Sequence, residues 1–237
     1  MPYGLYGFWD PTYFLVLIGA VICLLASARV KSTFHKYSQV RSMSGMTGAM
    51  AAERILHKAG IHDVQIQHVS GSLTDHYDPK HKVLRLSDSV YGSASVAAVG
   101  VAAHECGHAI QHHNGYVPLQ LRAAIVPVAN IGSTLAWPLI LIGLFFTRGT
   151  GSILITAGIL CFSAAVLFQL VTLPVEFNAS GRALRILGDT GILGTDEVQD
   201  TRKVLSAAAL TYVAGAAAAI LQLLRLVLLF GGRRDDD

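Results

Sequence analysis

Four runs of this chain are long, apolar and almost free of charge: Thr12 to Ala28, Ala123 to Phe146, Ser152 to Leu173 and Leu205 to Phe230. Each holds about 17 to 26 residues, the length at which a helix crosses the hydrocarbon core of a bilayer. No other feature restricts the fold as strongly. Backbone groups inside lipid must find their partners within the same segment, so runs of this length predict membrane-crossing helices. The residue balance agrees, since 14% of the 237 residues are charged where a soluble domain carries about 25%. The expected fold is mainly α: a multi-pass membrane protein with four transmembrane helices and a small cytoplasmic α+β domain.

Basic residues set the expected orientation. No Lys or Arg precedes the first run, Asp10 does, and Arg29, Lys31, Lys36 and Arg41 follow it. This reads as an anchor with its N-terminus outside rather than as a signal peptide cleaved near Ala26-Ser27-Ala28. Trp9 and Tyr13 then belong at the outer interface. Ten Lys and Arg lie between Arg29 and Arg122 and four between Pro174 and Val204, while the hairpin from Thr147 to Gly151 carries Arg148. The chain thus divides into an anchor (1–28), a cytoplasmic segment (29–122), a transmembrane hairpin (123–173), a second cytoplasmic segment (174–204) and a last helix with its tail (205–237). The tail "GGRRDDD" falls outside. The net charge of +3 comes from residues flanking the spans, with no aromatic-interleaved basic patch, which argues against nucleic acid and leaves the lipid bilayer as the surface these charges meet. Cys23, Cys106 and Cys161 form neither a disulfide framework nor a CxxC site.

The chemistry-bearing stretch is "AAHECGHAIQHHN", residues 102 to 114. His104 and His108 are four apart, so on a helix both imidazoles face one side and can converge on one ion at about 2.1 Å. Glu105 sits about 100° around the helix, where a carboxylate can reach a water on that ion without ligating it and take its proton. The pattern HExxH therefore predicts the helix of a zinc peptidase. Cys106 turns about 200° from His104 and is expected as a small core residue. Upstream, residues 47–59 predict a helix closed by Gly60. The runs "DVQIQHVS", "LTDHY" and "KVLRLS", with a turn at Asp78-Pro79, predict a small antiparallel sheet beside the motif helix. Such a sheet either offers an edge to an extended substrate or is a structural hairpin. His76 and His81 near its turn add two further imidazoles.

A catalytic zinc takes three protein ligands and keeps one position for water. His112 lies about 12 Å along the axis from His104, too far to share its ion, and His113 faces elsewhere. The longer pattern HExxHxxGxxH fails, with Gln111 in place of the glycine and Asn114 in place of the last histidine. The third ligand must come from afar. Two spans return the chain to the same face, where "LPVEFNASGRALRIL" sets Glu176 just past a span, behind Pro174, on what reads as a new helix begun by the proline. Asp189, Asp196, Glu197 and Asp200 read as a solvated polar segment. Glu53 belongs to the scaffold helix, and Asp75, Asp78 and Asp88 to the hairpin. Glu176 is either the missing ligand or a juxtamembrane carboxylate facing solvent.

HExxH on a helix, two following spans and then "EFNASGRAL" before a last span resemble the YugP-type neutral zinc metallopeptidases of bacterial membranes, over nearly the whole chain. They are more distantly similar to the HtpX-type and CAAX prenyl proteases. The resemblance implies a zincin-like (gluzincin) metalloprotease domain that acts on a protein or peptide. It implies one zinc ion per chain held by His104, His108 and Glu176, with Glu105 as general base. In the HtpX-type group an aspartate four residues after the ligand glutamate supports the site; Ser180 stands there in this chain. Tyr212 and Arg182 are the candidates for a group that stabilises the oxyanion. Three other readings stay open. A metal transporter would need polar side chains in the spans, which offer Gln169, Gln222 and Arg225. An intramembrane protease would bring an "LDG"-like aspartate motif, which does not occur. A metal-stabilised scaffold would have no use for Glu105.

Overall fold

The computed structural model describes residues 10–146 and 149–231. Trp9, Arg148, Arg233 and Arg234, to which the sequence assigns interfacial or topological roles, lie outside the described residues. In chain order these form α1 (Tyr13–Ser38), α2 (Gly48–Lys58), β1 (Gln65–Val69), β2 (His76–Asp78), β3 (Val83–Ser87), α3 (Val96–His113), α4 (Val117–Phe145), α5 (Gly149–Asp189) and α6 (Thr195–Phe230). Helices α1, α4, α5 and α6 are long and apolar enough to cross a membrane, with mean hydropathies of 2.2, 1.8, 2.3 and 2.2 in their most apolar windows.

The four expected spans are present, but their helices overrun them, because a helical hydrogen-bond ladder ends at a cap or a break rather than at the edge of an apolar run. Pro174, expected to begin a new helix, lies inside α5 instead. Its ring removes the bond to the carbonyl of Leu170, a loss that long apolar helices tolerate, and just before it Thr172 donates its hydroxyl to the Phe168 carbonyl at 2.8 Å. Pro127 and Pro138 are carried inside α4 in the same way. Residues 174–204 therefore comprise the end of α5, a short link and the start of α6.

Two compact units share the chain. One holds the chain up to Ala26, Leu121–Thr172 and the chain from Thr211; the other holds Ser27–Gln120 and Leu173–Leu210. In the first, apolar unit, Gly19 brings α1 against α6: a Cβ there would stand 3.1 Å from the Cβ of Ala218, and small residues on both helices allow that close packing. Arg225 donates from Nε to Thr12 Oγ1 at 3.2 Å, approaches Asp10 Oδ2 at 3.7 Å and stacks 4.0 Å over the Tyr13 ring. One of the three polar side chains a transporter would need is thus committed to neutralising an acid at a helix end.

The second unit is built around α2, α3 and the sheet. Thr47 caps α2 by accepting from Met50 N at 3.3 Å, and Ala51, Ala52, Ile55 and Leu56 form its buried face. The sheet order is β1-β3-β2; β2 and β3 form the expected antiparallel hairpin, but β1 pairs with β3 in parallel. The wholly antiparallel expectation fails because β2, only three residues long, cannot serve as the middle strand of a meander. The central place goes to β3, whose Val83, Leu84 and Leu86 are buried, and β1 can reach its free edge only by running the same way. Ala183 and Leu187 of α5 and Val204 and Leu205 of α6 complete this core. Glu197 is not solvated as expected. It is buried near the start of α6, accepting from Gly194 N at 2.8 Å and from Met43 N at 2.7 Å, which satisfies the helix N-terminus in the manner of a capping box.

Candidate metal centre

Ser95 starts α3 by accepting from Ala98 N at 3.2 Å, and the helix then runs unbroken through the HExxH residues. The rings of His104 and His108 meet edge to face with centroids 4.8 Å apart. Glu176 reaches them from α5: its Oε2 lies 3.3 Å from His104 Nε2 and 3.5 Å from His108 Nε2. Glu105, Glu176 and His108 are all buried. Such a short carboxylate can reach because the two helices nearly touch. A Cβ on Gly107 would stand 2.6 Å from the Ala179 carbonyl oxygen, so the glycine inside "HECGH" is the point at which α5 crosses α3.

A layer of hydrogen bonds behind the imidazoles aims them. His104 Nδ1 lies 3.1 Å from Ser180 Oγ, and His108 Nδ1 lies 3.0 Å from Gln111 Oε1. Gln111 is fully buried, and its amide nitrogen donates to the Val175 carbonyl at 2.8 Å and to Asn178 Oδ1 at 3.0 Å. A backbone carbonyl can only accept, so the Gln111 oxygen faces the ring, Nδ1 of His108 carries the hydrogen, and Nε2 turns its lone pair toward Glu176. Asn178 is held in turn by Arg182, whose Nε donates to the same Oδ1 at 2.7 Å while its guanidinium lies 5.8 Å from the Tyr116 ring centroid.

Two imidazole nitrogens and a carboxylate oxygen thus converge in a buried place, and these ligand atoms all lie within 4.8 Å of one another. A tetrahedral ion with bonds of about 2.0–2.1 Å spaces its ligand atoms about 3.3–3.4 Å apart, which matches the two measured separations. The residues present therefore fit zinc. The field favours a cation as well. Burial would lower the pKa of His108, but the neighbouring carboxylates of Glu176 and Glu105 outweigh burial and raise it.

The other candidates fall elsewhere. His112 is exposed, with Nδ1 2.9 Å from the hydroxyl of Tyr77; burial and the charges of Asp63 and Asp78 push that phenol up to about 12. His81 pairs with Asp78 at 2.7 Å, and His76 lies 2.9 Å from the Thr74 carbonyl. Among the described residues the one group of three able to hold a metal is His104, His108 and Glu176. Cys106 is buried against Ala52, and burial pushes its thiol well up. Arg182 acts on Asn178, and Tyr212 lies on the part of α6 that belongs to the apolar unit. Sequence reasoning missed Gln111 and Asn178. The available signal was spacing, since Gln111 is seven residues after His104 and so continues the same helical face.

A family model described as "Putative neutral zinc metallopeptidase" matches residues 12–231. A protein of Bacillus subtilis (strain 168) described as "Putative membrane protease YugP" is 49% identical over 224 residues, covering 94% of this chain and 98% of the relative. No solved structure matches the chain.

Proposed function

The chain belongs to the neutral zinc metallopeptidase family and is a multi-pass membrane protein, and from that premise we propose that it hydrolyses peptide bonds of protein substrates at the cytoplasmic membrane face, with Glu105 as general base. The observation that carries the reading is the convergence of His104, His108 and Glu176 beside a buried carboxylate that stands next to His104 on α3. His104, His108 and Glu176 would hold one zinc ion per chain. When bound, zinc supplies Lewis acidity to the scissile carbonyl and to water. Glu105 takes a proton from the attacking water and returns it to the leaving amine, so that one carboxylate serves as base and then as acid. Ser180 and Gln111 hold the imidazoles in the orientation ligation requires, and Asn178 with Arg182 keeps Gln111 in place. Arg182 is thereby a positioning residue rather than an oxyanion donor. The N-terminus lies outside and the site inside, as the concentration of Lys and Arg between Arg29 and Arg122 favours.

Replacing the base while keeping the ligands tests this directly. Glu105→Gln should retain zinc and lose hydrolysis of an unfolded model protein by about 10²–10⁴-fold, the usual contribution of a positioned base. Cleavage by the purified variant at the normal rate would remove the peptidase reading.

A further inference from the structure

Helix α1 leaves its apolar run at Ala28, and α6 enters its own at Leu205. Where they do so, within the second compact unit, a groove of about 380 Å³ opens between them, lined by Arg29 and Lys36 from α1 and by Arg202 and Lys203 from α6. The spacing of Arg29, Thr33 and Lys36 puts all three on one face of α1. Ser32, Thr33 and Ser206 add hydroxyls to the walls. Tyr37 is buried beneath, with the ammonium groups of Lys36 and Lys203 at 5.3 and 5.8 Å from its ring centroid. Asp200 takes up one charge by pairing with Lys203 at 2.8 Å. Arg29, Lys36 and Arg202 make no ion pair among the described residues.

An orientation signal needs only that positive charge lie on one side of the membrane, and Lys31, which does not line the groove, would serve that purpose equally well. Convergence of four basic residues from two helices distant in sequence needs another reason. On α6 the residue one turn to the apolar side of the groove is an exposed leucine, Leu210, four after Ser206, at 40% exposure. Charge for a phosphate therefore adjoins apolar surface for acyl chains. An arginine fork matches two phosphate oxygens, and the ammonium groups add charge without fixed geometry. We propose that this groove binds the headgroup of an anionic phospholipid of the adjoining leaflet. This assignment does not depend on the peptidase reading.

Native mass spectrometry of the full chain in detergent, titrated with phosphatidylglycerol or phosphatidylcholine, tests it. One phosphatidylglycerol per chain should be retained with clear preference over phosphatidylcholine. That preference should fall about fivefold in Arg202→Gln, the equivalent of about 1 kcal/mol for one basic residue near the surface, and vanish in the combined Arg29→Gln, Lys36→Gln, Arg202→Gln, Lys203→Gln variant. A charge-matched control, Lys31→Gln with Arg54→Gln, Lys58→Gln and Lys80→Gln, should keep it. Equal loss in the control, or displacement of the lipid by inorganic phosphate, would overturn the proposal. Should the fourfold variant fail to fold, the single Arg202→Gln and Lys36→Gln variants decide, and an unchanged preference in both overturns it.

Discussion

Gln111 spends its whole amide on neighbours: the oxygen faces His108 Nδ1, and the nitrogen faces Val175 and Asn178. It thereby ties the helix that carries two proposed ligands to the helix that carries the third. Gln111→Ala should weaken zinc binding by about 10- to 100-fold, as losses behind a metal-binding histidine do, and should destabilise the fold by about 1–3 kcal/mol through the unpaired groups left in the interior. Glu176→Ala should weaken zinc binding more than that, and His112→Ala should leave it near the wild-type value. Zinc content of the three purified variants at equal, limiting free zinc ranks them; retained zinc in Glu176→Ala with loss in His112→Ala would reverse the ligand assignment. The difference between these residues also marks what could be read beforehand. His104 and His108 announce themselves because the spacing of four has a chemical purpose, and Glu176 drew notice because the spans return the chain to the same face. Spacing puts Gln111 on the same face as His104 but does not reveal its role, which depends on Val175 and Asn178, more than sixty residues away.

At the scale of elements, the crossing of α3 and α5 is set by one missing methyl group. Gly107→Ala gains up to about 1 kcal/mol in helix propensity, but its Cβ would meet the Ala179 carbonyl at 2.6 Å, a backbone atom that cannot rotate away. The helices must part, at a cost of about 1–3 kcal/mol. A misplacement of about 1 Å at a reacting centre can cost about 10²-fold in rate. Gly107→Ala is thus expected to keep its helix content by circular dichroism while losing about 10²-fold in activity. Gly181→Ala, on α5 where a Cβ meets nothing within 4 Å, should be neutral or slightly stabilising. Equal activity in the two variants would show that the close crossing is irrelevant to the site. The spans and the β2–β3 hairpin were legible because each is a local pattern of apolar residues or turn residues. The helix ends, the passage of α5 through Pro174 and the parallel β1–β3 pair were not. A proline in an apolar helix and one in a turn look alike in sequence, and parallel pairing is decided by which strand can be buried on both faces.

For the whole molecule the open quantity is sidedness, which the basic residues predict and a thiol reagent can read. In a background without Cys23, Cys106 and Cys161, a cysteine at exposed Lys80 should escape an impermeant reagent in intact cells and react after permeabilisation. One at exposed Thr150, beside the link between α4 and α5, should react in intact cells. The opposite pattern would move the site to the other face. Whichever side it occupies, the order of the three proposed ligands along the chain has a consequence for biosynthesis. His104 and His108 leave the ribosome first; Glu176 follows only after α4 and the apolar half of α5 have been made. Until that hairpin has been made, the nascent chain holds two imidazoles without their carboxylate, so the proposed metal centre cannot form before the third span is laid down.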